Sequence, residues 1–170
     1  MAGSLVHIGS QVAGGSAATF TITGIDSTYD VYLVQVKNLI PSSDDTIAWR
    51  ITKSGSIQTD NEYDNGRRDK PFEAAFQNNE DENASGVTNA TVESTGDGFF
   101  AEFYLFNFAN ASEYSYGLWN AVMWVSTPQG FSSPGGFVHT VASASDGLSF
   151  YFTGGANISS GNLELYGLKK

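Results

Sequence analysis

The stretch Thr46-Ile47-Ala48-Trp49-Arg50-Ile51-Thr52 decides the fold, because a large apolar side chain takes every second position. Successive side chains of a β-strand point to opposite sides, so Ile47, Trp49 and Ile51 would share one buried face. Thr19-Phe20-Thr21-Ile22-Thr23 repeats the pattern with Phe20 and Ile22. A period of two residues therefore predicts strands that bury one face.

The same pattern recurs along the whole chain, while helical periodicity is nearly absent. Turn-forming segments, such as Thr95–Gly98, Ser133–Gly136 and Ser160–Asn162, separate the apolar runs. The sequence predicts one all-β domain over residues 1–170, a jelly-roll-like antiparallel sandwich of two sheets and about ten strands. The predicted strands are Leu5–Ile8, Thr19–Thr23, Val31–Leu39, Thr46–Thr52, Val87–Glu93, Phe99–Phe108, Tyr114–Val125, Phe137–Ala142, Leu148–Thr153 and Leu163–Leu168.

One long polar stretch, residues 53–83, breaks this regular spacing. Within it, Asp69 is placed to cap a short helix over residues 69–76, with Pro71 in its first turn. Phe72 and Phe76 would form the apolar side of that helix. We expect residues 53–83 to form an excursion of loop and short helix between two strands.

Two neighbouring strands, Phe99–Phe108 and Tyr116–Val125, carry apolar side chains on both faces. A sandwich strand normally presents one polar face to water, so these two need a second cover. The excursion over residues 53–83 would supply that cover, or a subunit interface would, and the two alternatives are compatible. The residues assigned to such an interface are Phe99, Phe103, Leu105, Trp119 and Met123.

The charge balance restricts the possible partners. The chain has 18 acidic and 8 basic residues, a net charge of −10, and no cysteine. Such a chain would repel a phosphate backbone, so neither nucleic acid nor an anionic membrane surface is expected as a partner. Residues 1–10 lack the positive and apolar regions of a secretion signal, and no apolar run is long enough to span a membrane.

Signals for catalysis or cofactor binding are weak. His7 and His139 both lie in strand runs without a ligand-spaced companion, so a structural role is favoured over a metal or catalytic role. Asp60, Glu62 and Asp64 are spaced like calcium ligands, but no acidic residue closes the loop at its twelfth position. A solvated acidic loop is favoured over a calcium site. We expect a protein without enzymatic activity, cofactor or resident metal.

Two segments at opposite ends of the chain carry a resemblance. The first is residues 23–32, Thr-Gly-Ile-Asp-Ser-Thr-Tyr-Asp-Val-Tyr, which lead on to residues 38–45. The second is residues 163–169, Leu-Glu-Leu-Tyr-Gly-Leu-Lys. Together they resemble small structural proteins of tailed phages, notably those of cyanobacteria and marine bacteria. The resemblance implies jelly-roll-like subunits, commonly trimeric, that serve as capsid decoration (cement) proteins or as tail-fibre knobs.

The resemblance and the acidic charge lead to the expected function. The chain would be a decoration protein, made in the host cytoplasm, that forms a homotrimer on the outer surface of the phage head. Its partners would be itself and the major capsid protein or another virion protein. A receptor-binding knob of a tail fibre and a carbohydrate-binding module are the alternatives, although neither a fibre shaft nor a secretion signal is visible.

Overall fold

The computed structural model describes residues 4–125 and 129–169 and shows an all-β protein. Every strand pair is antiparallel, as predicted. In the described part of the chain, no helix is long and apolar enough to cross a membrane. The strands are β1 (Ser4–Val12), β2 (Thr19–Thr23), β3 (Val31–Pro41), β4 (Asp45–Lys53), β5 (Ser56–Ile57), β6 (Tyr63–Pro71), β7 (Gln77–Ala84), β8 (Val87–Val92), β9 (Phe99–Phe106), β10 (Ser115–Val125), β11 (Gln129–His139), β12 (Gly147–Phe152) and β13 (Ile158–Lys169).

The described strands hydrogen-bond as one 13-stranded sheet that folds into two layers, consistent with the predicted jelly-roll-like sandwich. The larger layer runs in the order β1-β13-β3-β9-β10-β11-β6-β7, and the smaller layer runs β8-β4-β12-β2 with β5 beside β4. The hydrogen bonding continues from one layer to the other through the pair Val125 and Val92. An isolated bridge between Ala17 and Ile158 joins the layers elsewhere.

Trp49, on β4 of the smaller layer, lies at the centre of the core. Its ring is fully buried and packs edge-on against Phe103 of β9 at 5.0 Å and against Trp119 of β10 at 4.9 Å between ring centroids. Phe150, on the neighbouring strand β12, lies 5.4 Å from Phe103. Edge-to-face contacts of this kind stabilise a core beyond the area they bury. The alternation of Ile47, Trp49 and Ile51 therefore positions the side chains that join the two layers.

The prediction for residues 53–83 is wrong in its detail. This stretch forms strands β5, β6 and β7, and no helix occurs over residues 69–76. Asp69 and Pro71 lie in β6. Phe72 and Phe76 lie in the turn between β6 and β7. The β6–β7 hairpin pairs with β11 and widens the larger layer instead of covering it.

Two predicted turns lie inside strands. Ser133–Gly136 is part of β11, where a Cβ atom on Gly135 would lie 2.2 Å from the Trp119 ring. The glycine at this position therefore gives the Trp119 indole its place in the core. Ser160–Asn162 lies within β13, where the register against β3 shifts on either side of Ser160. The Thr95–Gly98 turn lies between β8 and β9, as predicted.

The two segments that carry the phage resemblance meet in space. A Cβ atom on Gly167 would lie 2.2 Å from the ring of Tyr29, so only glycine leaves room for that ring. Gly24, with a φ of 121°, lies beside Leu165. The hydroxyl of Tyr32 lies 2.7 Å from the carbonyl oxygen of Asp26 and fixes the intervening turn. The contacts of Gly167 with Tyr29 and of Gly24 with Leu165 therefore hold the two segments together.

Candidate functional site

The five residues predicted to form an interface lie in the core, so this prediction is wrong. Phe99, Phe103 and Leu105 are fully buried, and Trp119 and Met123 are nearly so. Their side chains point from β9 and β10 towards the smaller layer, as the contacts of Trp49 with Phe99, Phe103 and Trp119 show. A residue buried within one chain cannot contact another chain.

The opposite face of the same two strands is exposed. We call it the outer face: the outward side of β9 and β10, on the surface of the larger layer. Alternate residues there are 37% to 56% exposed although they are aromatic or aliphatic. The members of this apolar set are Phe100 and Tyr104 on β9 and Tyr116, Leu118, Val122 and Trp124 on β10.

The strand register places these side chains in direct contact range of one another. Phe100 lies opposite Val122, and Tyr104 lies opposite Leu118. Their exposed fractions, applied to the ~150–250 Å² of a large side chain, leave roughly 500 Å² of apolar surface in contact with water. The largest apolar patch on a typical monomer is about 300–600 Å² and often marks an association site.

A polar row crosses the middle of the outer face. The side-chain amide of Gln35 on β3 donates a hydrogen bond of 3.1 Å to the carboxylate of Glu102 on β9. Asn120 on β10 lies opposite Glu102. These residues and Ser132 on β11 line a shallow depression, together with Lys37 on β3 and the apolar Phe100 and Val122. The outer face therefore has a polar centre between two apolar areas.

One end of the outer face is basic. The guanidinium carbon of Arg68 lies 4.3 Å above the ring of Phe76, and the ammonium of Lys70 lies 5.4 Å from the same ring. Phe72 and Phe76, in the hairpin turn, are more than half exposed. A Cβ atom on Gly130 would lie 2.4 Å from the Phe72 ring, which places that ring on the outward side of β11 next to Trp124.

The other end of the outer face is acidic. Asp64 on β6 and Glu80 and Glu82 on β7 line a second depression together with Tyr116 and Leu118. Along β6 and β7 the surface thus changes from negative near Asp64 to positive near Lys70. The face therefore combines two apolar areas, separated by the polar row, with two ends of opposite charge.

A buried polar network anchors the hairpin that carries both charged ends. The carboxylate of Asp69 accepts hydrogen bonds from the Ser133 hydroxyl at 2.6 Å, the Asn79 amide at 2.7 Å and the Arg67 guanidinium at 2.9 Å. Arg67 also donates to the carbonyl oxygen of Thr88 in the other layer at 2.7 Å. Since Arg67 and Asp69 point inward, the alternation of the strand directs Arg68 and Lys70 outward.

The residues considered for catalysis or metal binding lie apart from the outer face or from one another. His139 is fully buried against Tyr63, and its Nε2 atom lies 3.2 Å from the Glu62 carboxylate. Burial lowers the pKa of the His139 imidazole; Lys53 lowers it further, and Glu62 acts in the opposite direction. His7 lies on the edge strand β1, with its ring 5.3 Å from that of Tyr166.

The acidic residues of the suggested calcium loop have separate partners. Glu62 faces His139, and the Asp64 carboxylate accepts a hydrogen bond from the backbone of Asn83 at 2.8 Å. Over residues 4–125 and 129–169, no three His, Asp or Glu side chains come together in a way that could hold a metal ion.

Sequence reasoning identified the strands of the outer face but assigned its surface to the wrong side. Trp49 lies in the core, as predicted; Trp119, which was assigned to an interface, lies in the core as well, whereas Trp124 is 40% exposed. The excursion expected to cover these strands leaves Leu118, Val122 and Trp124 in contact with water. The roles of Arg68 and Lys70 were missed, although three of the chain's eight basic residues fall within residues 67–70.

Comparison with known proteins adds no family. No protein-family model matches this sequence, and no curated protein matches it either.

Proposed function

We propose that this chain is a structural subunit of a tailed-phage particle, a capsid decoration protein that acts by contact through its outer face. The exposed apolar surface of β9 and β10 carries the proposal, because an antiparallel sheet with water on one side normally presents polar residues there. The phage setting comes from the resemblance of residues 23–45 and 163–169.

The charge of the chain agrees with a place outside the shell. A net charge of −10 disfavours contact with the packaged genome, since binding to nucleic acid depends on basic residues that neutralise phosphates. On the outer surface of a head, decoration subunits would add buried area across the seams between capsid proteins. The load of the packaged genome would then be shared by more contacts.

The test is to locate the chain in phage particles. Particles with and without the protein would be compared by electron microscopy and by their resistance to heat. Regularly spaced density over the head, together with lower heat resistance when the protein is missing, supports the proposal. Density only at the tail tip indicates a fibre knob instead. Absence of the chain from purified particles overturns any virion role.

A carbohydrate-binding module is the second candidate, favoured by one observation. Trp124 and Tyr104 are exposed on the outer face, with the polar side chains of Glu102 and Asn120 between the two apolar areas. Aromatic rings beside hydrogen-bonding groups suit the apolar and polar sides of a sugar ring. Retention on immobilised polysaccharide, lost in Trp124→Ala and kept in Trp49→Phe, would support this function over the first.

A further inference from the structure

The distribution of charge on the outer face identifies its occupant. Resting on the proposed function, we propose that a second copy of this chain covers the outer face, sheet on sheet, related by a two-fold axis that crosses the strands. The basic end of each copy, Arg68 and Lys70, then lies over the acidic end of the other, Asp64 and Glu82.

The direction of the axis follows from where the charges lie. Asp64 and Glu82 lie near one end of the β6–β7 hairpin and Lys70 near the other, whereas Glu80, opposite Gly66, lies only two positions along the hairpin from Arg68. A two-fold axis parallel to the strands keeps each charged end at the same level along the strands, so the basic end of one copy would not reach the acidic end of the other. An axis across the strands places unlike ends together on both sides of the pair, so every contact is used twice.

The apolar areas of the outer face supply the surface that the pair requires. A stable interface buries about 800 Å² from each partner, and the six apolar side chains of the outer face already expose roughly 500 Å². Phe72 and Phe76 extend this surface at the basic end, where both are more than half exposed. Two sheets pack face to face about 10 Å apart, which lets side chains from both copies interdigitate.

The exposed apolar side chains of β9 and β10 share one side of the larger layer, which favours a pair over a ring. The outer face belongs to a layer of eight strands, so strand spacing gives that layer a width of roughly 35–40 Å. In a two-fold pair the same face meets itself, whereas a ring of three copies needs two different surfaces on each copy. The arrangement therefore differs from the homotrimer that the phage resemblance implies.

The experiment is a charge exchange between the two ends, read out by sedimentation of the full chain over a range of concentrations. Arg68→Glu with Lys70→Glu makes both ends acidic, and Asp64→Lys with Glu82→Lys makes both ends basic. Each doubly substituted chain should dimerise at least about tenfold more weakly than the wild type at low salt. An equimolar mixture of the two should restore the dimer, because every contact in the mixed pair joins unlike charges.

The controls separate charge from folding and from the proposed function. Asp97→Lys changes an exposed residue in the β8–β9 turn and should leave the dimer unchanged. Leu118→Asp should abolish the dimer while the far-ultraviolet circular dichroism stays that of a β protein. A wild-type monomer at all concentrations, a trimer, or a mixture that fails to restore the dimer would overturn the two-fold pair. Those outcomes leave the location of the chain in phage particles to be decided separately.

Discussion

Phe103 and Phe100 provide the most informative comparison, because they lie on the same strand and face opposite ways. Phe103 is fully buried and packs 5.0 Å from Trp49 and 5.4 Å from Phe150, whereas Phe100 is 39% exposed on the outer face. Replacing a buried phenylalanine by alanine removes its transfer free energy and leaves a cavity, at a cost of about 3–5 kcal/mol. We expect Phe103→Ala to lower the free energy of unfolding by that amount.

Phe100→Ala is the matched control, since it removes the same atoms from the other side of β9. Its cost should stay near 1 kcal/mol, because the ring is already partly in water. Urea denaturation at a protein concentration too low for association would measure both values. If Phe103→Ala unfolds within about 1 kcal/mol of the wild type, or if Phe100→Ala is the more damaging of the two, the inner and outer faces are assigned the wrong way round.

Three further predictions concern the interior. Gly135→Ala should lower the free energy of unfolding by about 1–3 kcal/mol, since its Cβ atom would lie 2.2 Å from the Trp119 ring. Gly66→Ala is the control, because a Cβ atom there would have no other atom within 4 Å and should leave the stability unchanged. Equal effects of the two substitutions in thermal denaturation would refute the close approach. Tyr63→Phe should lower the free energy of unfolding by about 1–3 kcal/mol. The buried phenol accepts a 3.1 Å hydrogen bond from the backbone N–H of Ile51 and donates one to the carbonyl of Gln58, and both would be lost. An unchanged urea midpoint would contradict this prediction. Burial lowers the pKa of His139 in the folded chain, whereas the unfolded chain keeps the ordinary histidine pKa of about 6.5. The unfolded chain therefore binds more protons below about pH 6.5, and the free energy of unfolding falls as the pH decreases through that value. The fall ends below the pKa of the folded state, where both states are protonated. His139→Phe should remove this contribution, at most about 1.4 kcal/mol per pH unit, and an identical pH dependence in wild type and variant would contradict it.

The alternating strands of the core were predictable because alternation is visible in the sequence. Ile47, Trp49 and Ile51 are all fully buried, and β9 and β10 alternate between buried and partly exposed positions along their length. The β6–β7 hairpin was not predictable in this way. Its inward residues Arg67 and Asp69 are polar and satisfy each other with Ser133, a partner 64 positions from Asp69 in the sequence.

The side of β9 and β10 that faces the core was undetermined for a different reason. Both faces are apolar, so hydrophobicity alone does not distinguish Phe103 from Tyr104. The distinction arises from the partners: Phe103 packs against Trp49 of the other layer, whereas Tyr104 lies between Leu33 and Leu118 on the outer side of the same layer and is 37% exposed. Which side of β9 and β10 faces the core therefore depends on how strands distant in the sequence pair and pack, and the alternation within each strand does not reveal it.

The central claim is that the outer face is where this protein makes contact, and thiol labelling tests it most directly. The chain has no cysteine, so Leu118→Cys places one thiol on the outer face and Thr23→Cys places one on an exposed position of the smaller layer. Both thiols should react rapidly in dilute protein. At concentrations or in particles where the protein is bound to its partner, the thiol at position 118 should become protected from labelling, while the thiol at position 23 remains reactive. Equal labelling of both positions after assembly would contradict the claim.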